Sequence, residues 1–342
     1  MTPAIFGLAG PVLSAEERAF FRDSDPAGYI LFGRNVVDRE QLRALTDDLR
    51  SLHGRDQLLI SIDQEGGRVA RMNPPHWQAY PAAGAFARMW DRGPSSAIEA
   101  ARSNAAAIGL DLAEVGITVD YAPLLDVRHP GAHDVIGDRA LGEEVLQVAA
   151  LGRAVLDGLA AAGVAGCIKH MPGHGRAGAD SHKELPVVDA GAAALEEDLQ
   201  PFRTLAPRAP MGMTAHVRYT AWDAENPGTL SPFVIGDVIR KRIGFDGLLL
   251  SDDIDMHALT GAVPERSLRA IEAGCDIVLN CWAKMDEMVR TAELLPAMSE
   301  ESAARLDRAL AGCGKATLQV RDREQLLATR DALLERLRDT AA

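Results

Sequence analysis

The chain alternates between short apolar runs and longer segments with helical periodicity. Each apolar run is only a few residues long, which is typical of strands that are buried on both faces of a parallel sheet. In chain order the runs are Ile5 to Ala9, Tyr29 to Phe32, Leu58 to Ile62, Ile117 to Tyr121, Val164 to Ile168, Met211 to Thr214, Leu248 to Leu250 and Ile277 to Leu279. We therefore predict eight buried strands.

Helical segments separate these runs and suggest the architecture. Apolar residues recur at helical spacing in Arg39 to Ser51, Ala97 to Ala113, Glu143 to Ala162, Ala192 to Leu205 and Pro232 to Arg242. Ser231-Pro232 is a helix-starting pair before the last of them. Eight alternating units in 342 residues predict a (β/α)8 TIM barrel, an α/β fold. A dinucleotide-binding sheet is disfavoured because Gly7 to Gly10 lacks the G-x-G-x-x-G spacing.

The whole chain, residues 1–342, is interpreted as a single domain because no linker, repeat or low-complexity segment divides it. From about residue 284 onward no further strand is predicted. A helical stripe there favours C-terminal helices, about 284–342, that pack on the barrel exterior over a helix that binds a partner. The stripe consists of Leu326, Leu327, Leu333, Leu334 and Leu337.

Charge and composition narrow the classes of partner. The 36 Lys and Arg residues against 49 Asp and Glu give a net charge of -13, which repels a nucleic-acid backbone. No stretch approaches the ~18 apolar residues of a membrane span, and Met1 to Gly7 lacks a signal-peptide pattern. The charge and the lack of a long apolar stretch predict no nucleic-acid and no membrane partner. No C-x-x-C pair occurs among the cysteines, so we predict buried thiols in a reducing cytoplasm. The cysteines are Cys167, Cys275, Cys281 and Cys313.

Polar side chains follow five of the predicted strands, where a barrel of this type carries its catalytic groups. Together they predict a polar pocket that binds hydroxyl groups and contains carboxylates. The side chains that follow the third, fourth, sixth and seventh strands include Asp63, Glu65, Arg68, Arg71, Asp126, Arg128, Arg139, His216, Arg218, Asp252, Asp253 and Asp255.

The fifth strand leads into the most polar stretch, Ile168 to His182. Its glycines and Pro172 exclude a continuous helix and predict a mobile loop attached to a rigid strand end. His170 and His174 have the spacing of a zinc-binding helix, but Pro172 breaks such a helix and no Glu follows His170, so no metal site is predicted. A solvated loop with incidental histidines is disfavoured because Lys169 and His170 lie at the strand end itself, where polar groups need partners.

A pocket that binds a neutral sugar through charged groups indicates glycoside hydrolysis, in which one carboxylate attacks the anomeric carbon and a second group protonates the leaving oxygen. Asp252 suits the first role because it ends a buried apolar run. From the residues alone, Asp252, Asp253 and Asp255 are also candidate caps of the following helix.

Three spaced motifs together resemble one family. The first is Asp63-Gln64-Glu65-Gly66-Gly67-Arg68, the second is Lys169 to Gly175 followed by Asp180-Ser181-His182, and the third is Ser251-Asp252-Asp253. The chain is similar to the family 3 glycoside hydrolases, and among them to the single-domain bacterial β-N-acetylhexosaminidases of peptidoglycan recycling, from about Ile5 to Cys281. Met171 stands where the family commonly has Phe, and Arg176-Ala177 replaces a frequent Asp-Thr; neither position is catalytic.

The resemblance implies roles for eight of these residues. Asp252 is the implied nucleophile, and His182 paired with Asp180 is the implied general acid/base, whose Gly-rich loop we expect to swing in after substrate binds. No cofactor and no metal is implied. The implied ligands of the N-acetylglucosamine ring are Asp63, Arg71, Arg139, Lys169 and His170.

The activity that the resemblance implies is a retaining exo-β-N-acetylglucosaminidase. Its expected substrate is a muropeptide fragment, N-acetylglucosamine β-1,4-linked to 1,6-anhydro-N-acetylmuramic acid with or without a stem peptide, and the expected assembly is a monomer or weak homo-oligomer. A β-N-acetylglucosaminide phosphorylase or a β-glucosidase of the same family is the alternative. A non-catalytic sugar-binding barrel is disfavoured because it would not need Asp252, Asp180 and His182 together.

Overall fold

The strands close into a parallel barrel. The computed structural model describes residues 1–339, with side chains through Glu335. The strands are β1 (Thr2–Gly7), β2 (Pro26–Leu31), β3 (Leu59–Ile62), β4 (Val119–Asp120), β5 (Ala165–Met171), β6 (Val187–Val188), β7 (Met211–Thr214), β8 (Arg218–Tyr219), β9 (Leu248–Asp253) and β10 (Ile277–Asn280). Within this range, eight of them close in the order β1-β10-β9-β7-β5-β4-β3-β2, and β6 pairs with β8 in a separate small sheet. The predicted (β/α)8 barrel is confirmed.

Helices surround the barrel. They span Ala15–Ser24, Arg39–His53, Gly84–Ala87, Pro94–Glu114, Val145–Ala161, Ala192–Asp198, Gln200–Leu205, Val234–Ile243, Val263–Ala273, Met285–Leu294, Glu300–Leu310 and Arg323–Asp339. The helix predicted over 192–205 is divided at Leu199, since Pro201 has no amide hydrogen to continue the first helix and instead begins the second. Val234–Ile243 is π-helical, and Ser231 Oγ still accepts from the Val234 amide. Within residues 1–339, no helix is both long and apolar enough to cross a membrane.

Alternating side chains of the strands build two layers of core. Ile5, Leu59 and Leu250 point into the barrel and join its interior cluster. Phe6 and Leu249, one residue away on their strands, point outward and pack with the surrounding helices. This period of two is what a strand buried on both faces requires, and the charged side chains of the barrel strands lie near their carboxyl ends.

Strand β5 is longer than predicted. The apolar run ends at Ile168, but the strand continues to Met171, which pairs with Thr214 of β7. Lys169 and His170 remain in the strand because each has a buried acidic partner, Glu65 and Asp126 respectively, that no apolar pattern reveals. Both side chains therefore stand on the rigid barrel wall.

The C-terminal helix Arg323–Asp339 lies against the helix Pro94–Glu114. Leu333 and Leu334 pack on an alanine-rich cluster of that helix, and Leu326 and Leu327 pack on the main core. The side chain of Leu337 lies outside the described residues. The buried Arg330 adds a hydrogen bond of 3.1 Å from its Nη1 to Asn104 Oδ1.

Candidate active site

The carboxyl ends of the barrel strands surround a cavity of about 150 Å³. The cavity is lined by every predicted site residue except Asp180, which lies behind His182. Barrel closure brings together side chains that are more than a hundred positions apart in the chain. The predicted residues in the lining are Asp63, Arg71, Arg139, Lys169, His170, His182 and Asp252.

Asp252 lies near the carboxyl end of β9, next to the last residue of the strand. Its Oδ1 accepts a hydrogen bond of 2.8 Å from the Asp253 amide. Burial alone would raise the pKa of Asp252, but His170, His216 and the Asp253 amide outweigh it and lower the pKa to about 2. Asp252 is therefore a carboxylate at neutral pH, which is the form that a nucleophile needs.

The pKa values of the two acidic neighbours of Asp252 shift in the opposite direction. Burial, together with their mutual proximity, raises the pKa of Asp253, and burial also raises the pKa of Asp255. Asp253 Oδ1 accepts from the Asp255 amide at 3.1 Å, and Asp255 Oδ2 accepts from the Cys281 amide at 2.9 Å, so the pair ties the end of β9 to the end of β10. The helix-cap interpretation does not hold for these residues, because the next helix begins only at Val263.

Asp180 and His182 form a hydrogen-bonded pair on the loop after β5. Asp180 Oδ1 contacts His182 Nδ1 at 2.8 Å and accepts from the His182 amide at 3.0 Å. Burial would raise the pKa of Asp180, but the bonds from His182 lower it overall. With Nδ1 directed at the carboxylate, His182 Nε2 is the nitrogen that can exchange a proton with a ligand. The His182 side chain is 64% exposed and lines the mouth of the cavity.

A cluster of alternating charges forms one wall of the cavity. Lys169 Nζ lies 3.0 Å from Asp63 Oδ1 and 2.7 Å from Glu65 Oε1. Arg139 makes two parallel bonds of 2.8 Å to Glu65, and Arg71 Nη2 lies 3.3 Å from Asp63 Oδ2. Burial opposes charge at both Glu65 and Lys169, yet their attraction prevails: the pKa of Glu65 is lowered and the pKa of Lys169 is raised. The wall thus offers fixed donors and acceptors to sugar hydroxyls.

Asp126, which is fully buried, binds both His170 at the end of β5 and His174 in the loop that follows it. Its Oδ2 contacts His170 Nδ1 at 2.8 Å, while its Oδ1 accepts from the His170 amide at 3.2 Å and the His174 amide at 2.6 Å. Asp126 was among the predicted strand-end residues but had no assigned role. It fixes the orientation of the His170 ring toward the cavity.

The second histidine of the motif, His174, has an unfavourable environment for positive charge. Burial together with the neighbouring His170 lowers the pKa of His174 to about 4. Within the part of the chain that the structure describes, no group of three His, Cys, Asp or Glu side chains is placed to share a metal ion.

Comparisons with known proteins agree with this geometry. The model of the glycosyl hydrolase family 3 N-terminal domain matches residues 8–311. The chain belongs to glycosyl hydrolase family 3. The predicted family is therefore confirmed.

Relatives of this family 3 enzyme cover between 82% and 98% of its length. A β-hexosaminidase of Alkalilimnicola ehrlichii is 43% identical over 82% of this chain and 80% of its own. One of Methylococcus capsulatus is 38% identical over 95% of both chains. A crystal structure of NagZ from Neisseria gonorrhoeae in complex with N-trifluoroacetyl-D-glucosamine is 31% identical, covers 98% of this chain and 97% of its own, and superposes with a TM-score of 0.86.

Besides Asp126, two further residues of the family 3 enzyme's site had no predicted role. Glu65 was noted at a strand end, but nothing in the sequence indicates that it joins Lys169 to Arg139. Phe32 was noted only as the last residue of the second apolar run. Its ring lies 5.2 Å from the guanidinium carbon of Arg71 and helps to hold that side chain. The position of Glu65, two residues after Asp63, was the available signal.

Proposed function

We propose that the protein is a retaining exo-β-N-acetylglucosaminidase. The observation that carries the proposal is the pairing of an ionised Asp252 with the Asp180-His182 pair around one small polar cavity. Relatives named β-hexosaminidase, and a relative crystallised with an N-acylated glucosamine, support this sugar and this reaction.

The residues suggest a two-step reaction. In the first step Asp252 attacks the anomeric carbon, the glycosidic C–O bond breaks, and the leaving oxygen takes a proton from His182 Nε2. In the second step His182 takes a proton from water as the water oxygen displaces Asp252 from the anomeric carbon. Two inversions at the same carbon retain its configuration, and both side chains return to their starting state.

In this proposal the charged wall holds the sugar while the chemistry occurs. Asp63, Arg71, Arg139, Lys169 and His170 are its binding residues. The ion pairs among the charged groups of the wall offset much of the free-energy cost of burying those groups. Sugar hydroxyls can therefore donate to and accept from a network of polar groups that is already fixed in position. The cavity of about 150 Å³ suits one terminal sugar unit, which fits exo-action.

The proposed natural substrate is a muropeptide fragment with N-acetylglucosamine at its non-reducing end, cleaved during cell-wall recycling in the cytoplasm. The buried free thiols Cys167, Cys275, Cys281 and Cys313 are compatible with a reducing compartment. The net charge of -13 disfavours nucleic acid as a partner. For the assembly, we propose a monomer or a weak homo-oligomer.

Product analysis on a chromogenic β-N-acetylglucosaminide, with and without phosphate, tests the reaction. We expect free N-acetylglucosamine in the β configuration as the first product under both conditions. A phosphorylase would require phosphate and release a sugar 1-phosphate, a β-glucosidase would prefer the matching glucoside, and a binding protein would release neither. Any of these three results contradicts the proposal.

Removing the imidazole of His182 should affect poor leaving groups most. We expect His182→Ala to lose about 10² to 10⁴ in kcat/KM on a disaccharide, whose leaving alcohol needs a proton, and much less on an activated aryl glycoside. The measurement is kcat/KM against leaving-group pKa. His76→Ala, a change at an exposed histidine outside the cavity lining, is the matched control and should leave that dependence as in the wild type.

Azide should accelerate deglycosylation of the His182→Ala enzyme by replacing water, since an anion needs no base. Asp180→Ala should show the same dependence on the leaving group as His182→Ala, but with smaller losses, because Asp180 only orients the His182 imidazole. Equal losses on all leaving groups would mean that His182 holds the loop and that another residue supplies the proton.

A further inference from the structure

Trp282 is a large exposed side chain next to two residues that line the cavity, and the reaction described so far does not use it. It follows β10, and 57% of its surface is exposed. The adjacent residue Cys281 and its hydrogen-bond partner Asp253 both line the cavity. An aromatic surface left in water beside a polar pocket is a common feature of binding sites.

The Trp282 ring is held in a defined position. Its indole Nε1 donates to Asp253 Oδ2 at 3.2 Å, and its main-chain amide donates to Asp255 Oδ2 at 3.4 Å. The next residue, Ala283, has φ of 55°, a conformation that residues with a side chain rarely adopt. Lys284 Nζ lies 5.4 Å from the ring centroid. A ring fixed in this way loses little freedom when a ligand packs on it.

Trp282 and the acid/base residue border the same stretch of chain, Asp252 to Ala258. The Ser181 carbonyl, next to His182, accepts from the Ala258 amide at 3.2 Å at one end of this stretch. Trp282 bonds to Asp253 at the other end. The cavity of about 150 Å³ is the size of one sugar unit, so we expect a second sugar to lie outside it, beside this stretch of chain.

We propose that Trp282 is the platform on which the sugar beyond the cleaved bond packs. The flat face of a β-linked pyranose is covered with C–H groups, and the indole face is a polarisable apolar surface that complements them. The platform would favour a sugar leaving group over a small alcohol. This inference rests on the proposed glycosidase function and adds a leaving-group site to it.

The test compares two substrates whose leaving groups are both alcohols and therefore need the same acid. They are N,N′-diacetylchitobiose, which has a second sugar, and methyl β-N-acetylglucosaminide, which has none. We expect Trp282→Ala to lower kcat/KM about tenfold on the disaccharide and at most about twofold on the methyl glycoside. Trp282→Phe, which keeps an aromatic face, should recover most of the loss. Phe233→Ala, an exposed aromatic outside the cavity lining, is the matched control and should change neither value.

Two results would overturn the inference. An equal loss on both substrates would mean that Trp282 acts by positioning Asp253, and a Trp282→Phe enzyme as poor as Trp282→Ala would assign the effect to the indole N–H. Failure of the proposed function is distinct from both, because the wild type itself would then hydrolyse neither substrate.

Discussion

Asp252→Asn should lower kcat/KM on an aryl β-N-acetylglucosaminide by roughly 10⁴-fold or more, because the neutral amide cannot form the covalent bond to the anomeric carbon. The ring-binding wall is untouched, so affinity for free N-acetylglucosamine should change little. Kinetics and a binding titration on the same variant separate the two effects. The pKa of Asp252 is about 2. If activity falls on the acid side of the pH profile well above that value, the fall should therefore come from protonation of another group.

Asp253→Asn is the matched control for this prediction. Burial raises the pKa of Asp253 and so disfavours its charged form, and this carboxyl is not the group assigned to attack the anomeric carbon, so a neutral amide should be tolerated there. We expect a much smaller loss of activity than in Asp252→Asn. A 5-fluoro glycosyl donor should label the peptide that contains Asp252. Label on Asp253, an inverted product, or equal losses in the two variants would refute the assignment of the nucleophile.

Glu65→Gln should destabilise the protein by about 3–5 kcal/mol, since it leaves Arg139 and Lys169 buried with one carboxylate fewer between them. Sugar binding should weaken as well, because both cations line the cavity. The measurements are urea unfolding and the affinity for N-acetylglucosamine. Glu99→Gln is the matched control: Glu99 pairs with Arg102 on the exposed surface, where an ion pair contributes about 0–1 kcal/mol.

The destabilisation should depend on pH in a defined direction. The folded pKa of Glu65 is lowered, so its contribution to stability is present above the usual value of 4.5 and is lost as pH falls through the folded pKa. The pKa of Lys169 is raised, so its contribution is present below 10.5 and is lost as pH rises through the folded pKa. The difference between wild type and Glu65→Gln should be greatest between these values and shrink in acid. A difference that is constant down to pH 2 would contradict this account.

Much of the site was predictable because its motifs lie at strand ends. Asp63, Lys169 and Asp252 each follow or end an apolar run, and in a barrel all such ends meet on one face. Their convergence around one cavity therefore follows from the hydrophobic pattern. The pattern misplaced the end of β5, because apolar runs stop at the first polar residue whereas the strand continues as long as polar side chains find buried partners.

The hydrophobic pattern determined the barrel, and the motifs selected the residues with reactive groups. The tertiary structure decided in which direction the pKa of each group shifts. Burial disfavours charge on both Asp252 and Asp253, yet the pKa of Asp252 is lowered because His170 and His216 lie near it, whereas the pKa of Asp253 is raised because burial is reinforced by the neighbouring Asp255. Glu65 acquires its partners only when β3 and β5 share a barrel. Burial and through-space charge arise from closure of the fold, and for that reason the chain's linear order does not contain them.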